Sequence, residues 1–433
     1  MRSLLPDFTP AAENSAFRRL LIGGTLSSLG GAMTTFAVTL QIWDMTRSSF
    51  AVGAIGFTCI PVLLVGLVGG SIADRVDRRA LLLVTCVGAC LVSALLAVQA
   101  YGGFGQLWLL YLLVTIDELI AAIAGPASRA MIPRLVGPDR LRAAITLRTL
   151  TGRIVMLAGP ALAGVVAGAW GLKTCYLIDA ISFAGAFYGR FGLPAMPAQT
   201  ALSAAVLAEA GGRGRRTMAS IAEGLRYIRR TPVLFAAFLT DLDAMLLGLP
   251  IALFPALNAE HFGGRPQTLG LLTTAVGVGG IITAVLSGPA ARVTRNGLGM
   301  LAGTFVWGAG IAVFGFTRSL PLGLLALACA GAADTMTVTL RSAMVATATP
   351  EELRGRVSSV EYVIGASAGG GLGNVESGTV AALTNPVFSA VSGGIACIAV
   401  AVAIGLAIPS FARYNAREAK PAAEPTAVAA SPS

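Results

Sequence analysis

Long apolar runs separated by short polar segments make up most of this 433-residue chain. Twelve of these runs are each long enough to cross a hydrocarbon layer of about 30 Å as an α-helix. They lie at residues 20–42, 50–70, 80–100, 107–127, 146–169, 173–193, 233–257, 267–290, 298–317, 321–345, 357–381 and 386–409. Because backbone groups within lipid must be hydrogen-bonded inside their own segment, the pattern predicts an all-α membrane protein with twelve transmembrane helices.

The basic residues between the runs indicate how the chain is oriented. If the N terminus is cytoplasmic, most of the 31 Lys and Arg residues lie in cytoplasmic segments, and the outer segments hold only Arg47, Lys173, Arg265 and Arg318. By the positive-inside rule, this asymmetry predicts that both termini are cytoplasmic. The same asymmetry accounts for the net charge of +10. The basic residues mark the cytoplasmic segments and contact anionic membrane lipids, so the charge does not indicate a nucleic-acid-binding surface.

The longest connection divides the runs into two sets of six. We predict a cytoplasmic N terminus (1–16), a first six-helix bundle (17–193), a central cytoplasmic loop (194–232), a second six-helix bundle (233–409) and a disordered cytoplasmic tail (410–433). In the central loop, Met218, Ile221, Leu225 and Ile228 share one helical face. This spacing favours a helix on the inner membrane surface over a solvated linker.

A short internal repeat supports two related bundles. Arg129 precedes residues 138–142 in the cytoplasmic loop after the fourth run, and Arg341 precedes residues 350–354 at the same spacing after the tenth run. Parallel six-helix repeats are typical of transporters in which two pseudo-symmetric bundles enclose a substrate site near the middle of the membrane.

The composition argues against several classes of enzyme. His261 is the only histidine, and Lys occurs only at positions 173 and 420, neither of which follows a glycine-rich phosphate loop. The six cysteines lie in or beside apolar runs without a C-x-x-C pair, so we predict neither a metal centre nor a disulfide framework. We therefore expect no enzymatic activity and no bound cofactor, with the proton gradient as the energy source.

The loop between the second and third runs carries a motif. The signature G-x-[LI]-A-D-R-x-G-R-[KR] is matched by Gly70, Ile72, Ala73, Asp74, Arg75, Arg78 and Arg79. Asp77 stands where the signature has its second glycine. On these residues the chain resembles the major facilitator superfamily, and within it a group of siderophore and macrolide exporters. In the fifth run, Gly159, Pro160 and Gly164 resemble an incomplete form of the antiporter signature G-P-x-x-G-G.

The resemblance implies a gating role for the loop. It places Asp74 opposite the N terminus of the eleventh helix, near Val357, when the transporter is open to the outside. A carboxylate is stabilised there by unpaired N–H groups and the helix dipole. Arg75, Arg78 and Arg79 would pair with nearby acids and lipid phosphates; alternatively, these basic residues only set the topology.

Five acidic residues within the runs are candidates for proton coupling. A charge in hydrocarbon is costly, so such side chains normally face a cavity, form pairs or take up protons. The resemblance implies that helices one, four, seven and ten line the central cavity, and the acids on these helices are Asp117, Glu118, Asp241, Asp243 and Asp334. Asp117 and Glu118 cannot face the cavity equally, because neighbouring residues differ by about 100° around a helix. The alternative role is structural pairing.

The predicted function is a secondary transporter that exports a small amphipathic molecule, a siderophore or a drug, across the bacterial inner membrane. We expect it to act as a monomer. Arg153, a basic residue within the fifth run, either holds an anionic substrate group or neutralises an acid of the fourth helix. The resemblance to siderophore exporters favours an anionic substrate, whereas the acid-rich interior favours a cationic or neutral one. A lipid translocase of the same superfamily and a non-transporting membrane sensor are the alternative functions.

Overall fold

The computed structural model describes residues 7–63, 65, 76–194, 213–248, 250–285, 294–367 and 371–415. All regular secondary structure in these ranges is helical, which confirms the all-α prediction there. Eight of the described helices are long and apolar enough to cross a membrane. Twelve crossings, the two-bundle division and cytoplasmic termini stay predictions. Gly70, Asp74 and Arg75 of the loop motif lie outside the described residues.

Residues 7–194 form the first helix group. Its helices are α1 (Thr9–Glu13), α2 (Ser15–Thr46), α3 (Ser49–Leu63, with a 3₁₀ turn at Ala54–Thr58), α4 (Arg78–Gly102), α5 (Leu107–Trp170) and α6 (Leu172–Phe191). Long helices α2, α4, α5 and α6 pack against one another. Their apolar faces bury Leu96, Leu110 and Tyr176, none of which is exposed.

Residues 213–415 form the second helix group. Its helices are α7 (Arg213–Arg230), α8 (Pro232–Leu247), α9 (Phe254–His261), α10 (Pro266–Val285), α11 (Asn296–Phe316), α12 (Leu320–Ala348), α13 (Glu351–Ser367), α14 (Gly373–Leu383), α15 (Pro386–Ala407) and α16 (Pro409–Ala412). Helix α11 packs between α12 and α15, and α10 packs on α12. Across the two groups, α5 contacts α10 and α3 contacts α14.

Helix α5 corrects one feature of the sequence analysis. The fourth and fifth runs were expected to be joined by a loop, but α5 continues through this region for 64 residues. Its two arms, 107–136 and 138–170, meet at Gly137, the one residue inside α5 with a non-helical backbone (φ 72°, ψ 170°). A positive φ is readily adopted by glycine, and Pro138 is well placed to begin the second arm because its φ is already helical.

A buried carboxylate ties three helices of the first group together. Asp179 of α6 is 1% exposed. Its Oδ2 accepts hydrogen bonds from Thr34 Oγ1 of α2 and Ser93 Oγ of α4, both at 2.7 Å. Gly30 of α2 lies against this cluster, where an added Cβ would overlap Asp179. The hydroxyls replace the water that a buried carboxyl group loses, so Asp179 has a structural role.

Helix α7 occupies part of the central loop for which a surface helix was predicted. It lies on the second helix group: Ile228 is buried against Val357 and Val360 of α13. Tyr227 Oη donates to the Ala348 carbonyl oxygen at 2.8 Å, and Glu223 pairs with Arg356. These contacts fix α7 to the end of α12 and the start of α13. Its position on the inner membrane surface stays a prediction.

Candidate functional site: the contact region of the two helix groups

The first contact between the helix groups is a close crossing of α5 and α10. A Cβ added at Gly164 would lie 2.8 Å from the Pro266 carbonyl oxygen and 3.0 Å from Gly270 Cα. A Cβ at Gly270 would lie 2.7 Å from the Pro160 carbonyl oxygen. Backbone therefore meets backbone at this point, and glycine is needed on both helices. The glycine-proline motif of the fifth run thus lies at the boundary between the groups, with Gly159 facing Ala32 of α2.

The second contact is a crossing of α3 and α14, which also uses glycine. A Cβ at Gly378 would lie 2.7 Å from the Ser49 carbonyl oxygen and 3.2 Å from Phe50 Cα. Gly53 and Gly56 approach the α14 segment so closely that an added Cβ would overlap its backbone. Both crossings lie near helix ends that the sequence analysis assigns to the outer face. Close glycine packing of this kind lets helix backbones touch through dispersion contacts.

A small cavity lies between the groups, deeper along the same boundary. It has a volume of about 40 Å³ and is lined by Arg153 and Met156 of α5, by Gly277 and Gly280 of α10 and by Asp334 of α12, among others. Arg153 therefore lies beside an acid of the second group. Space of this size holds about one water molecule. The cavity brings a guanidinium and a carboxylate from opposite groups together.

A charge cluster lies next to this cavity, with Arg341 and Asp241 buried at its centre. Arg341 of α12 is 7% exposed and pairs with Asp241 of α8. Its second amino group, Nη2, lies 3.0 Å from Glu361 Oε1 of α13. Asp334 lies seven residues before Arg341 on the same helix, so the two share a face, and it is within electrostatic range of Arg153, Asp241 and Arg341. Three helices of the second group and one of the first thus meet at these charges.

Two residues of this charge cluster, Arg341 and Glu361, were not among the candidate site residues predicted from the sequence. Arg341 was assigned to a cytoplasmic loop as part of the repeat, and Glu361 was not among the five candidate acids. The spacing of seven residues between Asp334 and Arg341 was an available signal, because two helical turns return to the same face. The contact of Glu361 with Arg341 depends on how α13 packs against α12. Residue spacing along the chain does not predict this packing.

The remaining acidic candidates lie in different surroundings. Asp243 is 5% exposed, and its neighbour is the Cys397 thiol of α15, so it points into helix packing rather than toward the charge cluster. Asp117 lines a larger cavity within the first group. Glu118, one position on, is not among the residues that line it and is exposed. The two adjacent acids thus have different environments.

The described part of the loop motif begins α4. Asp77, the departure from the signature, is the N-cap residue: its side chain accepts a hydrogen bond from the Ala80 amide at 2.8 Å. Arg78 is the first residue of the helix. Arg79 Nη2 donates to the Phe191 carbonyl oxygen at 2.7 Å, and its guanidinium lies 5.5 Å from the Phe191 ring centre. N-capping of α4 thus explains locally why aspartate occupies this position, since aspartate is a favoured N-cap residue.

Comparison with known proteins shows the family to which this chain belongs. A family model described as "transmembrane secretion effector" matches residues 7–430, and the chain belongs to this family of the major facilitator superfamily. Enterobactin exporter EntS of Shigella boydii serotype 18 is 29% identical over 96% of this chain and 97% of that protein. EntS of Escherichia coli O1:K1 is 28% identical with the same coverage.

Solved structures agree on the fold. A peptide transporter, POT, matches with a TM-score of 0.70 and 12% identity, covering 95% of this chain and 99% of that one. A bacterial homologue of the iron transporter ferroportin in an inward-facing state matches with a TM-score of 0.66 and 16% identity, covering 92% and 99%. The family match identifies the chain as a multi-pass membrane transporter of the major facilitator superfamily and not an enzyme.

Proposed function

We propose that this protein is a proton-driven exporter of a small amphipathic molecule across the bacterial cytoplasmic membrane, working by alternating access. The observation that carries this proposal is the pair of glycine-lined crossings, α5 with α10 and α3 with α14, both near the predicted outer face. Helix groups that pack closely along such crossings can exchange one packed arrangement for another. With twelve crossings and cytoplasmic termini, these contacts would close the outer side of the transporter.

The charge cluster supplies a physical basis for proton coupling. It contains the carboxylates of Asp241, Asp334 and Glu361 and the guanidiniums of Arg153 and Arg341. One carboxylate is therefore left without a matching cation when all three are ionised. Taking up one proton removes the uncompensated charge, which is costly within a membrane-spanning segment. Because Arg153 belongs to the first group and the other four to the second, protonation of Asp334 changes the attraction between the groups.

The substrate class follows from the relatives rather than from the fold. Proteins named as enterobactin exporters are similar along nearly the whole chain, so a siderophore is the first substrate to test. A cationic dye tests the drug alternative, and a labelled lysophospholipid tests lipid translocation. The proposal needs no resident cofactor, since the proton gradient is the energy source.

Transport into inverted membrane vesicles tests the coupling. We expect Asp241→Asn and Asp334→Asn to lower gradient-driven uptake at least about tenfold, equivalent to 1.4 kcal/mol, and to abolish its pH dependence. Exchange of substrate without a gradient should persist, because the asparagine variants imitate the protonated acid. Asp243→Asn is the matched control, since that side chain faces Cys397 rather than the cluster. Gradient-driven uptake that is unchanged in both cluster variants would overturn the proton-coupling proposal.

A further inference from the structure

The first helix group has a partly open cavity that the coupling mechanism does not use. Its volume is about 570 Å³, and it lies among α2, α4, both arms of α5, and α6. Apolar side chains form much of its wall, including Phe17, Leu21, Ile120, Val155 and Phe183. A cavity of this size accommodates a drug-sized molecule with an apolar body.

Two arginines line this cavity. Arg148 of α5 is half-buried and lines the wall, and among the described residues it has no carboxylate partner. Its electrostatic neighbour is Arg129, another cation. Arg190 of α6 also lines the cavity; it donates to the Leu82 carbonyl oxygen at 3.4 Å, and its buried Nε has no partner among the described residues. Partly desolvated guanidiniums without an acid favour an anionic ligand.

Hydroxyl groups on the same wall add donors. Ser28 of α2 and Ser128 of α5 line the cavity and make no hydrogen bond within the described chain. Asp117 lies eleven residues before Ser128 on the same helix arm, which corresponds to about 16 Å along the axis. The electrostatic neighbours of Asp117 are Asp179 and Glu118, whereas that of Arg148 is Arg129, so the arginine and this carboxylate do not pair with each other. A bound molecule would therefore meet arginines that are not already paired with the acid of the same wall.

We propose that this cavity is a binding site for an amphipathic organic anion, whose charged oxygens meet Arg148 and Arg190 while its apolar part lies between Phe17 and Phe183. The proposal rests on the transport function above and names the substrate class. It resolves the conflict between an anionic and a cationic substrate: the acids of the charge cluster serve the proton, and the arginines of this cavity serve the substrate. Arg148 is then a specificity-determining residue.

The test compares two fluorescent probes of nearly the same shape. Anilinonaphthalene sulfonate is an anion, and N-phenyl-1-naphthylamine is its neutral counterpart without the sulfonate. Both are titrated into the full-length protein in nanodiscs of phosphatidylcholine, with empty nanodiscs subtracted. We expect Arg148→Gln to weaken binding of the anion about tenfold, the usual effect of losing a charged hydrogen bond, and to leave the neutral probe unchanged. Arg148→Lys should restore part of the loss, because it keeps the charge.

Arg142→Gln is the matched control, because Arg142 lies on the same arm of α5 but is exposed and does not line the cavity. Equal weakening of both probes by Arg148→Gln, or no weakening of either, would overturn the proposal. Phosphatidylglycerol nanodiscs distinguish a lipid headgroup from a soluble anion: if this lipid abolishes binding of the anionic probe, the site is a lipid site and the proposal fails. Asp241→Asn should leave binding of the anionic probe unchanged. Failure of the binding-site proposal would therefore appear in probe binding, and failure of proton coupling in gradient-driven uptake.

Discussion

The substitution Gly270→Ala should selectively destabilise the state in which the two helix groups touch near the outer face. The added Cβ would lie 2.7 Å from the Pro160 carbonyl oxygen and 3.0 Å from Gly164 Cα. Both of these atoms are backbone, so neither can move aside by changing a rotamer. The α5–α10 crossing must widen by several tenths of an ångström to restore ordinary contact distances.

The cost of that widening can be bounded. Overpacking a well-packed contact by one methyl group typically costs ~1–3 kcal/mol. If the crossing exists only in the outward-closed state, this energy shifts the equilibrium between states by about 5- to 150-fold. Alanine also favours helix over glycine by up to ~1 kcal/mol, but this gain is the same in both states of α10 and cancels.

Gly277 offers a matched control two turns along the same face of α10. A Cβ there would lie 3.7 Å from Leu157 Cα, an ordinary contact distance. Gly277→Ala should therefore shift the equilibrium between states much less than Gly270→Ala, because its Cβ makes an ordinary contact instead of a clash. The difference between the two alanine variants isolates the backbone clash from the general effect of alanine on helix stability.

Spin labels report the outcome directly. Lys173 and Arg318 are exposed and lie in different helix groups near the predicted outer ends. Cysteines at these two positions, in a background without the six native cysteines, carry the labels. Double electron–electron resonance should show a larger long-distance population in Gly270→Ala than in the parent or in Gly277→Ala. Identical distance distributions in the two variants would refute the assignment of this crossing as a state-dependent contact.

Two further predictions concern stability and docking. Asp179→Ala should lower the thermal unfolding midpoint, because losing this carboxylate leaves the buried hydroxyls of Thr34 and Ser93 without their acceptor at a cost of about 1–3 kcal/mol; an unchanged midpoint would contradict the structural role. Tyr227→Phe should speed amide hydrogen exchange in α7, since it removes the bond to the Ala348 carbonyl oxygen, worth about 0.5–1.5 kcal/mol. Unchanged exchange would mean that apolar contacts alone hold α7.

The helical architecture could largely be predicted from the sequence, because a membrane crossing sets a minimum apolar length that is easily recognised. The boundary between the fourth and fifth runs was wrong because the polar residues between them also favour helix. The backbone needed only one glycine, Gly137, to change direction. The pair Gly137-Pro138 was the available signal for a change of direction within a continuous helix.

The buried charges could be predicted only in part. Asp241 and Asp334 were candidates because an acid in an apolar run is costly wherever it lies. Arg341, which pairs with Asp241 and lies within electrostatic range of Asp334, was not recognised, because pairing depends on the relative rotation of α8, α12 and α13. The same limit applies to Asp243, whose carboxylate lies two residues from Asp241 but faces a different helix.

Each helix group also carries its own brace near its predicted cytoplasmic end. In the first group, Asn14 donates to the Leu135 carbonyl oxygen and Glu13 pairs with Arg140, which fixes the start of α2 to the turn within α5. In the second group, α7 is fixed in the corresponding place, between the end of α12 and the start of α13. The two braces use the same combination of a backbone carbonyl and an arginine.

This arrangement bears on where motion occurs. Because each brace joins helices of one group, it stiffens that group without joining it to the other. The contacts that must change during transport are then those at Gly164 with Gly270, at Gly53 with Gly378, and at the cavity that Arg153 lines. Hydrogen exchange under turnover should accordingly change along these faces of α3, α5, α10 and α14 and stay constant at Asn14. If amide exchange became faster at the braces and stayed unchanged at the crossings, the groups would deform internally instead of moving as units.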